Sequence, residues 1–382
     1  MDLRSIAPPV ASPRLRSLCA KFTLALLGAL APLGLGCAAV PRAAPAEPPA
    51  VWKKLATEPY KGKQDDIFFV DPQLGFYVNG AGRIYKTTDG GESWRKVLDQ
   101  PGTYFRTIGF LDAQNGFAGN IGTDYFPGVT DKTPLYQTHD GGETWSAVAA
   151  LQDKSIHGLC AIDVLHVDFI NAGHLDQRAI IHAAGRVGGP AVLLTSLDQG
   201  KTWEVQDLSA QASMILDVKF LDSQKGFLCA GTAADVDNSH ALVLMTLDGG
   251  KSWSKQYEST RPFETTWKCS FPSREVGYAT VQNYDERVAQ RVVAKTVDGG
   301  LTWKEIPLVS DAKEQEFGIA FDTPELGWVG AMSGAYFTRD GGQSFTRVAM
   351  GKAVNKIRLL RTPDGLVGYA IGTEVFKLSP AR

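Results

Sequence analysis

The chain of 382 residues carries 39 Lys and Arg against 41 Asp and Glu, with 44% hydrophobic residues, 10% aromatics, 40 Gly and 20 Pro. That balance describes an ordered, core-forming protein, excludes a disordered or collagen-like chain, and at a net charge of −2 offers no basic arm or groove for nucleic acid. Glycine, about 7% of an average protein, is enriched here and recurs beside Asp and aromatic residues at regular intervals, so short strands joined by tight turns are expected and an all-helical fold is excluded.

Residues 1–37 read as a signal peptide. Arg4, Arg14, Arg16 and Lys21 make a positive leader, and Phe22 to Gly36 is an apolar run containing Pro32, too short to span a bilayer as a mature helix. The run ends Leu33-Gly34-Leu35-Gly36-Cys37, which resembles a bacterial lipoprotein processing site, so Cys37 is expected to be lipidated and to become the new N-terminus. Cleavage after Ala38-Ala39, giving a secreted protein, is the alternative. Residues 38–50 form a Pro/Ala tether that cannot fold alone, and removal of residues 1–36 leaves a mature net charge of −5. The expected location is the bacterial cell envelope, in the periplasm or on the outer surface, held by a lipid anchor rather than a spanning helix. Beyond the leader only Cys160, Cys229 and Cys269 remain, each in an apolar strand-like segment, and they read as buried small hydrophobes, with a Cys229 to Cys269 bridge as the alternative.

From residue 51 onward the chain repeats itself. Thr87-x-Asp89-Gly-Gly91-x-Ser93-Trp94 recurs around Asp140, Asp198, Asp248, Asp298 and Asp340, with Phe345 replacing Trp in the last copy; successive aspartates lie 51, 58, 50, 50 and 42 residues apart. A second element, Phe-(x)5-Gly-aromatic, precedes five of the copies, at Phe69, Phe110, Phe220, Phe271 and Phe321, and a looser form runs from Leu360 to Tyr369. Cys160 to Ala184 fills the same place in the third unit without keeping the pattern. The hydroxyl and carboxylate of the first motif suit a hydrogen-bonded hairpin turn, with Gly at Asp+2 supplying a positive φ. The Trp then opens the following strand, where its ring fills the wedge between sheets. Each unit is therefore a four-stranded antiparallel sheet, A-B-C-D, with the second motif at the A-B turn and the first at the C-D turn. Seven such units make an all-β, seven-bladed β-propeller over residues 51–382, about 47 residues per blade. The seventh unit lacks a fourth strand, whereas Val51-Trp52-Lys53-Lys54-Leu55 resembles Ser93-Trp94-Arg95-Lys96-Val97, so residues 52–56 are expected to complete the last blade and hide two sheet edges.

The six copies resemble the Asp-box, or BNR, repeat, and seven exported units with alternating Phe-(x)5-Gly-aromatic elements are similar to the photosystem II stability and assembly factor family of propellers. That resemblance spans residues 51–382 and implies binding of a protein partner during assembly of a membrane complex. The Asp-box also occurs in sialidases, xyloglucan hydrolases and sorting receptors, so it specifies fold better than function.

Catalytic templates fare poorly. Phe105-Arg106-Thr107-Ile108 lacks the Pro of the sialidase segment and lines up with strand A of the other units. Gly200-Lys201-Thr202 and Gly250-Lys251-Ser252 lie inside repeated turns and lack the leading Gly of a phosphate loop. His166, His174 and His182 are evenly spaced by eight but are expected on different strands or a connecting turn, as solvated or core histidines rather than converging ligands; Asp235 and Asp237 lack the surrounding pattern of a cation loop, and neither metal nor cofactor is expected. Function is expected on the opposite face, built by B-C loops and D-A links that differ between units. Four segments stand out: Asn120 to Pro134, with Asp124, Tyr125 and Phe126; Gly185 to Pro190, which presents Arg186; Ser259 to Thr265, with Arg261; and Gln282 to Gln290, with Tyr284. Arg106, Lys268 and Arg358 begin A strands and are placed near the mouth of the axial channel on this face. Aromatic and Arg side chains are the usual anchors of a protein interface. The sequence therefore reads as a non-catalytic binding or assembly module for an envelope protein, with an envelope scaffold as a variant of that reading and a glycan-active enzyme, sialidase-like, or a lectin as the alternative.

Overall fold

The computed structural model describes residues 51–152, 154–171 and 174–380; the leader, Cys37 and the tether lie outside the described residues. Strands pair into seven four-stranded antiparallel sheets, six of them built from consecutive strands in chain order. Blade 1 is typical, with strand A at Gln64–Phe69, B at Gly75–Asn79, C at Arg83–Thr87 and D at Arg95–Asp99. Blade 7 takes A, B and C from Lys356–Thr362, Gly365–Ile371 and Val375–Leu378, and its D strand from Trp52–Lys54 at the other end of the chain. Trp52 lies opposite Leu378 and Lys54 opposite Phe376, while the Trp52 ring meets Trp328 of blade 6 edge-on at 5.7 Å. The expected closure is present, and all eight buried apolar clusters draw their members from residues 52–378.

The repeated turn satisfies its own backbone. In blade 1, Thr87 Oγ1 donates to Asp89 Oδ1 at 2.7 Å and accepts from the Gly91 amide at 2.9 Å, while Asp89 Oδ1 accepts the Ser93 amide at 2.9 Å. The other five copies make the corresponding bonds, as at Thr246, Asp248, Gly250 and Ser252. The first Gly of the turn also ties C-D to A-B, since the Gly90 amide donates to Gln73 O at 2.9 Å and a Cβ at Gly90 would stand 2.8 Å from Pro72 O. Both turn types therefore share one face, the turn face, as the sequence implied. Blade 3 departs from this. Its A and B strands, Ala161–Asn171 and His174–Gly185, form one long hairpin with eleven register pairs, and its C-D turn carries Gln199 at φ 63 where other copies have Gly.

The Phe-(x)5-Gly spacing has a direct cause. Phe69 faces Gly75 across the A-B register, as Phe110 faces Gly116, Phe220 faces Gly226 and Phe321 faces Gly327. With no Cβ beneath it, each ring lies over the glycine and stacks on a B-strand ring of the preceding blade: Phe69 on Tyr369 at 3.4 Å, Phe110 on Phe76 at 4.0 Å, Phe271 on Phe227 at 4.1 Å and Phe321 on Tyr278 at 3.6 Å. The turn Trp meets the same Phe edge-on, as Trp145 does Phe110 at 6.0 Å and 89°. In the irregular third blade His182 supplies the B-strand ring, stacked on Phe220 at 3.6 Å, and burial lowers its pKa to about 4, keeping it neutral in the seam.

Two tests follow from this packing. Deleting residues 51–56 exposes strand C of blade 7 as an edge and opens the seam at Trp328; melting and size-exclusion measurements should show a large fall in Tm with aggregation, and an unchanged monodisperse domain would refute closure. The turn carboxylates Asp89, Asp140, Asp198, Asp248 and Asp298 are held at about 2, well below the usual carboxylate range, foremost by the hydroxyl four residues on. Because these folded-state values lie below the unfolded ones, their contribution is complete above about pH 4 and is lost as pH falls toward 2. Tm should drop across that window, and Asp248→Asn should lower Tm at neutral pH by a few degrees while flattening the acid limb.

Candidate functional site

The loop face closes over the axial channel, and strand A decides which side chains arrive there. In blades 1, 2, 4, 5 and 6 the A-B register breaks, between Gln64 and Asp66, Phe105 and Thr107, Ile215 and Asp217, Thr266 and Cys269, and Glu316 and Ile319. Each break is a bulge, which re-aims the skipped side chain. Those residues are Asp65, Arg106, Leu216, Trp267 with Lys268, and Phe317 with Gly318. Blades 3 and 7 run without a break.

Leu216, Trp267 and Phe317 join Ile121, Cys160, Val187, Met214 and Ala353 in one buried apolar cluster that plugs the loop-face end of the channel. Arg106 is buried among them, paired with Asp65 and with its guanidinium carbon 5.2 Å from the centre of the Trp267 ring. Lys63 reaches the same carboxylate, Nζ to Oδ1 2.6 Å. Burial and the neighbouring Arg106 lower the Lys63 pKa to about 8 against the pull of Asp65. Around this pair the Trp267 Nε1, Thr265 Oγ1, Gln282 Nε2, Asn355 Oδ1 and both Glu316 carboxylate oxygens are buried without a hydrogen-bond partner among the described residues. Burial pushes the Glu316 pKa well up, which favours the neutral carboxyl there.

Aromatic rings form a lip above it. Tyr104 stacks on Phe126 at 4.7 Å, Phe126 meets Tyr125 edge-on at 4.8 Å, and Tyr125 and Phe126 remain 39% and 37% exposed. Tyr125 also packs on the glycine turn of blade 3, since a Cβ at Gly188 would sit 2.7 Å from its ring. Tyr284 donates its hydroxyl to Gln282, and burial raises the pKa of both Tyr284 and Tyr125, with Arg106 close enough to oppose the shift in each. Asp124 stands at the turn of this loop with φ 75. Arg106, Asp124, Tyr125, Phe126 and Tyr284 are thus gathered at one mouth.

Other candidates are placed differently. Arg186 is not presented to solvent: it is buried, with Nε donating to Gly189 O at 2.8 Å and Nη1 to Thr123 O at 2.8 Å, so it braces the blade 2 loop from blade 3. Arg261 is held in a side network, 2.6 Å from Glu264 and 2.8 Å from Glu305. Lys268 and Arg358 lie deeper, lining an axial cavity of about 210 Å³ with Asp163, Asp217, Lys219 and Lys356. Lys268 donates to Leu216 O at 2.7 Å and Arg358 to Ile67 O at 3.0 Å. Against the cost of burial, Lys356 and Arg358 hold Asp66, and Lys268 and Lys356 hold Asp217, below the usual carboxylate range. Asp235 caps a short turn of helix by accepting from the Asp237 amide at 3.2 Å, and Cys160, Cys229 and Cys269 are free and buried. Among the described residues no group of three or more His, Cys, Asp or Glu is placed to hold a metal ion. Sequence reasoning missed Asp65, Tyr104, Trp267 and Phe317. Asp65, Trp267 and Phe317 share one signal, an aromatic or acidic residue four positions before the A-strand Phe, visible once the bulges are known; Tyr104, six before Phe110, does not share it.

No protein-family model matches the chain. The curated xyloglucanase Xgh74A of Acetivibrio thermocellus is 24% identical over 239 residues, covering 54% of this chain and 25% of its own length, so the chain spans about a quarter of the curated relatives it matches. Among solved structures, YCF48 bound to D1 peptide aligns with a TM-score of 0.62 at 18% identity, over 88% of this chain and 97% of that one. YCF48 from Cyanidioschyzon merolae aligns with a TM-score of 0.62 at 15% identity, over 87% and 99%. The chain is a seven-bladed β-propeller that resembles the photosystem II assembly factor family in fold.

The placement of Arg186 makes a test. Arg186→Ala strips donors from two buried carbonyls and should cost about 1–3 kcal/mol, seen as a lowered denaturation midpoint; an unchanged midpoint would show that the strut carries no load.

Proposed function

We propose that this protein is an exported, lipid-anchored propeller that binds an extended segment of an envelope protein at the loop-face mouth and acts without catalysis. The carrying observation is the lip: two adjacent aromatic rings exposed above a sealed apolar floor, with a buried guanidinium beneath. Rigid aromatic area at low entropic cost is what interface hot spots use. The likeness to YCF48, solved in complex with a D1 peptide, supports a peptide segment as the class of partner. A mature net charge of −5 favours a basic or mixed-charge segment over an acidic one. The anchoring part of the reading rests on the leader and Cys37, which lie outside the described residues.

The site test is Tyr125→Ala with Phe126→Ala, leaving Arg186 in place. Stability should fall by only about 1 kcal/mol, whereas loss of a hot spot worth about 2 kcal/mol weakens partner capture by about thirtyfold. The measurement is titration or pull-down from detergent-solubilised envelope with circular dichroism as the folding control; equal capture of every partner by both proteins would sink the loop-face reading. Palmitate labelling of the wild type and of Cys37→Ser checks the anchor separately, with label expected on the wild type alone.

The match to a xyloglucanase supports a second reading, a glycan-active or glycan-binding propeller using the same mouth. Release of reducing ends from xyloglucan, lost in the Tyr125/Phe126 variant, would put that reading in place of the first.

A further inference from the structure

The repeated turn has two positions that its own hydrogen bonds leave unspecified: the residue between Thr and Asp, and the residue after the second Gly. Blades 1 and 2 place Thr88 with Glu92 and His139 with Glu143 there, whereas blades 3, 4 and 5 place Leu197 with Lys201, Leu247 with Lys251 and Val297 with Leu301. The hydroxyl-to-glycine bond that closes the turn is made in both groups, so that bond does not demand the difference. Leu197, Leu247, Val297 and Leu301 are 63, 62, 66 and 59% exposed. Four large aliphatics therefore stand exposed at the tips of three consecutive turns, one or two to a blade, where the fold itself gives them nothing to cover.

Two further observations say what covers them. The first is charge. Lys201 and Lys251 are exposed beside the aliphatic tips and have no ion pair among the described residues, whereas Glu92 and Glu143, at the same turn position in blades 1 and 2, are both matched by neighbouring cations. Aliphatic tips flanked by free lysines suit a surface with an apolar interior and anionic headgroups. The second is where the chain enters. In blades 1 to 6 the D strand starts at the turn face, directly after a C-D turn, and in blade 7 Trp52 begins that strand at the same end, opposite Leu378, the last residue of strand C. Val51 is therefore on the same face as the aliphatic tips, and the 13-residue tether read from the sequence, with a reach of about 40 Å if extended, would lead from there to Cys37.

We propose that the turn-face rim of blades 3 to 5 is a membrane-apposition surface that inserts its aliphatic tips among the headgroups of an anionic phospholipid bilayer and sets its lysines on their phosphates. The affinity for lipid stands on the exposed residues alone; the orientation rests on the lipid-anchor reading above. With the turn face against the bilayer, the aromatic lip on the opposite face points away from it toward a partner.

The test uses the propeller by itself, residues 49–382, whose closing strand and apolar clusters are complete without the leader. It is floated with vesicles of phosphatidylglycerol mixed with phosphatidylethanolamine, and with vesicles of phosphatidylcholine. The wild type should partition onto the anionic vesicles, and added salt should weaken the partition. Changing Leu197, Leu247, Val297 and Leu301 together to Ser should reduce it by about tenfold or more. Lys201→Glu with Lys251→Glu should reduce it by about fivefold per lysine and remove the salt dependence. Melting curves confirm that these exposed turn positions leave the fold unchanged. Absence of wild-type partition onto anionic vesicles, or equal partition of the Ser and Glu variants, overturns the proposal, as does loss of partition in the Tyr125/Phe126 variant alone. Capture of a protein partner in detergent, where no bilayer is present, is read independently, so a failed lip and a failed membrane surface are told apart.

Discussion

The A-strand phenylalanine lying over a B-strand glycine is the contact on which this propeller depends. A Cβ at Gly75, Gly116, Gly226, Gly277 or Gly327 would come within 2.3–2.6 Å of the facing ring, closer than any side-chain adjustment of a packed ring would relieve. Only with that space vacant does the ring lie flat, stack on the preceding blade and receive the edge of the turn Trp. In these five blades one small residue thus sets how a sheet meets its neighbour. Where the pair is missing, in blade 3, a neutral histidine keeps the stack and the hairpin lengthens.

Nearer the axis, polar contacts do the same work. Asp66 accepts the Ile108 amide at 3.1 Å, Asp163 the Phe220 amide at 2.8 Å, Asp217 the Cys269 amide at 3.1 Å, and Ser270 Oγ the Phe321 amide at 2.9 Å. Four of the inner strands therefore cap the next one's backbone, which a buried amide requires. In blades 1 and 4 the bulge that precedes the capping aspartate also turns Asp65 or Leu216 toward the channel mouth, so the device that links neighbouring blades also furnishes the site. Function has been laid on irregularities that the architecture already needed.

The two faces divide labour accordingly. On the turn face, hydrogen bonding consumes Thr, Asp, Gly and Ser, leaving only two variable positions per copy. On the loop face, the B-C loops and D-A links carry few common demands, and residues such as Tyr125 and Phe126 stay partly in solvent because only one side of each ring is occupied by Tyr104, Gly188 or the other ring.

The sequence by itself determined the all-β class, seven units, the positions of both turn types and the exchange of Trp52 into the last blade. Each of these is a local chemical requirement repeated at a near-constant interval: a hydroxyl two residues before a carboxylate, a glycine six after a ring. What only the tertiary structure decided is which side chains meet at the mouth. Asp65 and Trp267 were silent because a bulge depends on hydrogen-bond register between two strands, which leaves no mark in either strand alone. Arg186 was read as a presented side chain because nothing near it in sequence could absorb it; its acceptor at Thr123 lies 63 residues away and reaches it only when blades 2 and 3 are packed together. Local periodicity carries the fold because every blade obeys it, whereas burial and partnership at the site belong to pairs of blades and exist only after they have met.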